Sequence, residues 1–118
     1  MNIAERHVGP VTILDLTGRL VYDEGDRQLI AVVNALVERG ELQFLLNLEG
    51  VPWIDSAGIG ALVAKFVSVR KRGGALKLLH LKARTEQPLR ITRLTTIFDI
   101  FESEAEALRS FSVLESGV

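Results

Sequence analysis

The sequence predicts a domain of the α/β class: a mixed, mostly parallel β-sheet, helices largely on one face, and an N-terminal antiparallel hairpin. Short apolar runs alternate along the chain with segments whose apolar residues recur at helical spacing, the pattern of strands joined by crossover helices. A turn pair, Gly9-Pro10, separates the first two apolar runs and indicates neighbouring antiparallel strands. The length of 118 residues fits a single domain.

The first half of the chain is predicted to form the hairpin, a helix and a central strand. Ile3–Val8 and Val11–Thr17 are the two hairpin strands. In Glu24–Arg39, apolar residues spaced by three and four predict a helix with one apolar stripe, and Gly40 follows where a left-handed C-cap is expected. Leu42–Leu48 is almost wholly apolar, which predicts a strand covered on both faces.

The second half continues the alternation. Ala57–Arg72 repeats the helical spacing and stops at two glycines, and Leu76–Leu81 predicts the next strand. Thr85–Leu94 predicts a helix whose proline is tolerated only in its first turn. Ile97–Phe101 predicts a last short strand, and Glu102–Phe111 predicts a final helix.

Composition excludes several classes of function. The formal net charge is −1, from 14 basic and 15 acidic residues, which gives no bulk reason to expect nucleic acid or a membrane as partner. There is no cysteine, and His7 and His80 lie too far apart for metal-ligand spacing, so no metal or cofactor is expected. Met1–Pro10 lacks the apolar run of a signal peptide, and a cytoplasmic protein is expected.

The segment Val51–Leu62, VPWIDSAGIGAL, joins the most buried strand to the second helix. Ligand and partner sites gather at the carboxyl ends of strands in open α/β sheets. Ser56 immediately precedes the helical periodicity and is the predicted N-cap. Gly58 and Gly60 lie in the first turns, where a glycine costs about 1 kcal/mol relative to alanine. They indicate either close packing of the helix on the sheet or close approach of a partner's backbone.

A phosphate on Ser56 would suit a helix start, which offers up to about four unpaired N–H groups and a partial positive charge. The phosphate would add about −1.5 to −2 charges beside Asp55. A partner surface fitted to the bare hydroxyl would then be repelled without any change of fold. On the residue pattern alone, the simpler alternative is that Ser56 is only a helix cap.

An enzyme is the main rival class. A serine hydrolase needs a base and an orienting acid within hydrogen-bond reach of its serine, and no G-x-S-x-G motif surrounds Ser56. His80 ends a predicted parallel strand and is the one base that could share an edge with Ser56. Because a strand-end histidine is usually solvated or hydrogen-bonded, no catalysis is expected.

The segment Leu45–Val63, LLNLEGVPWIDSAGIGALV, resembles the signature of STAS-domain proteins, in particular the anti-sigma-factor antagonists (anti-anti-sigma factors). The likeness extends across nearly the whole chain through VTILDLTGRL, RGGALKLLHL and ITRLTTIFDIFESEAEAL. The resemblance implies one STAS domain over residues 1–118 that catalyses nothing.

The resemblance further implies a partner switch. An anti-sigma factor of the GHKL ATPase class would phosphorylate Ser56, and the unphosphorylated form would bind that factor and so release a sigma factor. A PP2C-type phosphatase would reset the switch, and the protein would be a monomer or weak homodimer. The implied partner surface comprises Asp23, Asp55, Ser56, Ala57, Gly58, Gly60 and Ala61. The alternative is a non-switching STAS scaffold or interaction module.

This sequence departs from the family pattern at three positions. Known antagonists carry an acid three residues after the glycine that ends the second strand, but that position is Val21 here. Asp23 follows two residues later, so either it substitutes or the kinase contact differs. Ala57 replaces the common serine or threonine, which removes an alternative phosphoacceptor, and Trp53 is expected to pack with one edge exposed.

Overall fold

The computed structural model describes the backbone of residues 1–116 and the side chains of residues 1–111. Strands and helices follow one another in the predicted order. The elements are β1 (Asn2–Val8), β2 (Val11–Thr17), α1 (Gly25–Glu38), β3 (Gln43–Gly50), α2 (Ser56–Lys71), β4 (Ala75–Leu79), α3 (Ala83–Ile91), β5 (Ile100–Phe101) and α4 (Glu104–Ser116). A short 3₁₀ turn, Leu94–Thr96, lies between α3 and β5.

The five strands form one mixed sheet in the sequential order β1-β2-β3-β4-β5. β1 and β2 pair antiparallel as the predicted hairpin, and every later pair is parallel. β3 is the central strand, so its residue Asn47 is opposite Asp15 of β2 on one side and Leu79 of β4 on the other. The predicted α/β class and mixed, mostly parallel sheet are therefore confirmed.

The helices divide unequally between the two faces of the sheet. The larger core packs α1, α2 and α3 against one face, through buried residues such as Leu29, Leu62 and Leu89. This follows from the topology, because parallel crossovers are almost always right-handed and the strands are added in sequence. α4 covers the opposite face through Ala107 and Phe111.

A salt bridge network ties α4 to the hairpin. Arg6 of β1 donates to Asp15 of β2 at 2.6 Å and to Glu104 of α4 at 2.9 Å. Opposite charges held in this way lower the pKa of the Glu104 carboxyl group, chiefly through its hydrogen bond with Arg6. The network fixes the start of α4 over the edge of the sheet.

Element boundaries differ from the predictions where tertiary contacts decide them. Gly40 has the expected left-handed φ of 91°, but β3 continues two residues past Leu48 to Gly50. β5 is only two residues long, because the chain is still turning at residues 97 and 98, directly after the 3₁₀ turn Leu94–Thr96. α3 starts at Ala83, so Pro88 is its sixth residue, and the prediction of proline only in the first turn is wrong. The carbonyl that loses its partner belongs to Arg84, an exposed residue whose backbone water can reach.

Candidate functional site

The start of α2 is capped by Asp55 and not by Ser56, so the predicted N-cap is wrong by one residue. The Asp55 carboxylate accepts a hydrogen bond from the Gly58 N–H group at 2.9 Å, while Ser56 is the first helical residue. The Ser56 side chain is exposed, and its hydroxyl makes no hydrogen bond to any residue that the structure describes. The serine therefore has no capping role.

Asp55 takes the cap position because it binds two segments at once. Its second carboxylate oxygen accepts from the Tyr22 N–H group at 3.0 Å. Two backbone hydrogen bonds hold the loop before α2 against Leu20. The Leu20 N–H group donates to the Trp53 carbonyl at 3.0 Å, and the Asp55 N–H group donates to the Leu20 carbonyl at 3.3 Å. A carboxylate can span both sets of donors, which the shorter serine hydroxyl at the next position cannot.

These donors also keep Asp55 ionised. Desolvation opposes its negative charge, but the backbone N–H groups of Tyr22, Gly58 and Ala57 together outweigh that effect and lower the pKa of the Asp55 carboxyl group. The site therefore carries a fixed negative charge immediately beside Ser56 at neutral pH.

We expect Asp55→Ala to lower the free energy of unfolding by about 1–2 kcal/mol at pH 7, because the helix cap and the Tyr22 contact are lost together. Since the pKa is lowered on folding, the contribution of Asp55 is complete above about pH 4 and is lost as the pH falls through the folded-state pKa. Urea denaturation at pH 7 and pH 3 measures this. Asp23→Asn is the control, since asparagine tolerates the left-handed φ of that position. An Asp55→Ala deficit that is equally large at pH 3 would contradict the assignment.

The two glycines of the segment have different roles. A Cβ atom on Gly58 would lie 2.0 Å from the Leu20 carbonyl oxygen and 2.9 Å from Ile54 Cγ1, so Gly58 permits close packing of the helix on the sheet. A Cβ atom on Gly60 would meet nothing within 4 Å, and Gly60 is exposed. Ala61 is buried and Ala57 is half-buried, so Ser56 and Gly60 are the predicted partner residues on α2 most open to direct contact.

Beside Ser56 lies a groove of about 680 Å³ between the start of α2 and the helix α3. Its lining comprises Trp53, Ile54, Asp55, Ser56, Ile59, Arg84, Gln87, Pro88, Ile91 and Thr92. Ile91 is 73% exposed and Trp53 is 53% exposed, a large apolar area for two side chains at the surface. The sequence predicted one exposed edge for Trp53. It did not indicate the groove, because α3 forms the second wall only in the tertiary fold.

Charged residues flank the groove on both sides. Arg84 lines it from α3, and Asp55 lines it from the loop before α2. Asp23 is exposed, has a left-handed φ of 59° and forms an ion pair with Arg27 at 3.0 Å. Its neighbour Tyr22 donates its backbone N–H group to Asp55, so Asp23 lies one residue from a direct contact with the start of α2.

His80 does not join Ser56 in a catalytic arrangement. Its backbone N–H group donates to the Phe101 carbonyl of β5 at 2.9 Å, and it is not among the residues that line the Ser56 groove. A general base must lie within hydrogen-bond reach of the group it activates. The geometry therefore gives no support to a serine hydrolase.

The structure brings together one cluster that the sequence did not indicate. Glu5, His7 and Glu41 each offer a ligand atom, and these atoms lie within 4.8 Å of one another. Arg39 supplies one positive charge to the cluster, because its guanidinium lies 3.4 Å from both carboxylates. Each nitrogen of His7 faces a different carboxylate, Glu5 at 2.5 Å and Glu41 at 3.3 Å, so the three side chains already contact one another.

The mixed five-stranded sheet, with an exposed serine beside a largely apolar groove, defines a small α/β domain. Residues 2–107 match the STAS domain, and the chain belongs to the STAS domain family. Among residues 1–116, the structure contains no helix that is both long and apolar enough to cross a membrane.

Several proteins similar to this chain are anti-sigma factor antagonists by name. The anti-sigma F factor antagonist of Paenibacillus polymyxa is 24% identical over 114 residues, 97% of each chain. The crystal structure of TM1081 from Thermotoga maritima, described as a candidate anti-sigma factor antagonist, has a TM-score of 0.86 and 26% identity over 92% of each chain. SpoIIAA, a Bacillus cell fate determinant solved in its phosphorylated form, has a TM-score of 0.73 and covers 93% of this chain and 99% of its own. At 18% identity, that last likeness concerns the fold. The resemblance to anti-sigma factor antagonists is confirmed.

Proposed function

We propose that this protein is an anti-sigma factor antagonist that binds its anti-sigma factor when Ser56 is unphosphorylated and releases it when Ser56 is phosphorylated. The partner would be a serine kinase of the GHKL class, and a PP2C-type phosphatase would restore the hydroxyl. The protein itself would catalyse no reaction and would act in the cytoplasm. Binding of the anti-sigma factor would free a sigma factor for transcription.

The observation that carries the proposal is the exposed, unbonded hydroxyl of Ser56. The simpler interpretation of the sequence made this serine a helix cap, but Asp55 fills that role. A kinase must reach the hydroxyl oxygen, and here the oxygen is accessible without any unfolding. The relatives support the same function, since the Paenibacillus polymyxa protein is an antagonist and SpoIIAA is known in a phosphorylated form.

The groove supports a protein partner. Trp53 and Ile91 expose apolar surface directly beside Ser56, and large apolar side chains at a rimmed groove are typical anchors of a protein interface. A phosphate at Ser56 would add about −1.5 to −2 charges beside the fixed charge of Asp55. A partner packed against Trp53 would then face a dianion, which is costly to desolvate.

The test is a phosphorylation assay. Wild type, Ser56→Ala and Ser68→Ala are incubated with ATP, Mg²⁺ and each GHKL-type kinase of the source genome, and intact mass is measured. We expect one phosphate on the wild type and on Ser68→Ala and none on Ser56→Ala. Ser68 is the control because it lies in the same helix, where its hydroxyl donates to the Lys65 carbonyl. A phosphate that persists on Ser56→Ala, or no phosphate with any kinase, would reject the switch.

The alternative function is a STAS scaffold that binds a partner without being phosphorylated. The same apolar groove favours it, since Trp53 and Ile91 would anchor a partner whatever the state of Ser56. Absence of phosphate together with retained binding of an anti-sigma factor would support this alternative.

A further inference from the structure

A phosphate on Ser56 would find fewer free backbone donors than a helix start usually offers. The Asp55 carboxylate already accepts from the Gly58 N–H group, and the Ala57 N–H group also contributes to holding that charge. Two N–H groups of the first helical turn, those of Ala57 and Gly58, are therefore committed to another anion. A dianion at this position needs a positive group from elsewhere in the fold.

Arg84 is the positive group that shares the groove with Ser56. Its side chain is exposed and makes no hydrogen bond or ion pair with any residue that the structure describes. The other two charged residues of α3 pair with each other, because Arg90 forms an ion pair with Glu86 at 3.1 Å. Asp55, the other charged residue of the lining, is held by backbone donors.

The surroundings of Arg84 suit a phosphate. A guanidinium group presents a planar fork of donors that matches phosphate oxygens, and its long stem can move across a groove. The walls beside it include Trp53, Pro88 and Ile91, which offer few competing polar groups. An ion pair formed next to apolar walls is screened less by water than one on an open surface.

We propose that Arg84 binds the phosphate of phosphorylated Ser56 across the groove between α2 and α3. The pair would place the arginine stem and the phosphate over Trp53 and Ile91, the apolar residues that a partner would use. Phosphorylation would then close the docking groove as well as repel the partner. This inference rests on the proposed phosphorylation of Ser56.

The experiment uses the full chain with phosphoserine encoded genetically at position 56, so it requires no kinase. The pKa of the phosphate is measured by ³¹P NMR titration in the otherwise wild-type chain and in Arg84→Gln, Arg84→Lys and Arg109→Gln. Arg109 is the matched control, since it is exposed on α4, the helix on the other face of the sheet. Asp55 raises the phosphate pKa equally in all four chains.

We expect Arg84→Gln to raise the phosphate pKa by about half a unit, because a nearby cation favours the dianion. Arg84→Lys keeps a cation, so the phosphate pKa should rise less than in Arg84→Gln. Arg109→Gln should leave the pKa unchanged. Equal pKa values in all four chains would overturn the pair, as would an equal rise in Arg84→Gln and Arg109→Gln. If no kinase phosphorylates Ser56 but the shift is observed, the proposed function fails while the pairing chemistry stands.

Discussion

Gly58→Ala is expected to lower the free energy of unfolding by about 2–3 kcal/mol. The added Cβ atom would lie 2.0 Å from the carbonyl oxygen of Leu20, a distance that real Cβ atoms do not adopt. That carbonyl cannot rotate away easily, because it accepts the Asp55 N–H group at 3.3 Å. Helix α2 would have to shift outward, and the contacts that position Asp55 and Ser56 would shift with it.

Gly60→Ala is the matched control for this prediction. It adds the same methyl group to the same helix two residues later, where nothing lies within 4 Å. Alanine favours the helix over glycine by about 1 kcal/mol, so Gly60→Ala should raise the free energy of unfolding by up to that amount. Urea denaturation of both variants measures the two effects, which should have opposite signs. A loss of stability in Gly60→Ala as large as that in Gly58→Ala would refute the packing argument.

These two glycines show what the sequence can and cannot reveal about the site. The sequence identifies both as unusual in a helix and leaves two explanations open. Close packing explains Gly58, which lies against Leu20. Gly60 faces open space, so close approach of a partner there stays a prediction. Nothing in the local pattern distinguishes them, because the segment that contacts Gly58 lies more than thirty residues earlier in the chain.

The same physical limit accounts for the capping error and for the groove. Asp55 and Ser56 are both good N-cap residues, and the choice is made by the distant Tyr22 N–H group that only Asp55 reaches. The strands and helices were predictable because apolar periodicity is a local signal, as in α1 and β3. Arg84 and Ile91 belong to α3, and their position beside Ser56 depends on how α3 packs against the sheet.

Ile91→Asp is expected to weaken binding of the anti-sigma factor at least 30-fold, which corresponds to about 2 kcal/mol. Ile91 is 73% exposed on the groove that contains Ser56, so its apolar surface is free to pack against a partner. A carboxylate at the same position would remove that apolar contact and would have to lose its hydration shell when the partner binds. The partner is the kinase that phosphorylates Ser56 in the mass assay, and affinity is measured by calorimetry with an ATP analogue that does not react.

Ile97→Asp is the control that shows whether the loss of affinity is specific to the groove. It introduces the same charge at another exposed isoleucine, 49% accessible, which lies beside Phe66 and Arg70 and outside the Ser56 groove. We expect its affinity to stay within about threefold of the wild type, and urea denaturation should show that both variants remain folded. If the two variants weaken binding equally, the docking surface does not centre on Ser56. A loss of affinity in Ile91→Asp alone would instead mean that the partner covers the groove beside Ser56. Because the phosphate is added in that groove, modification of one hydroxyl would then control the whole interface.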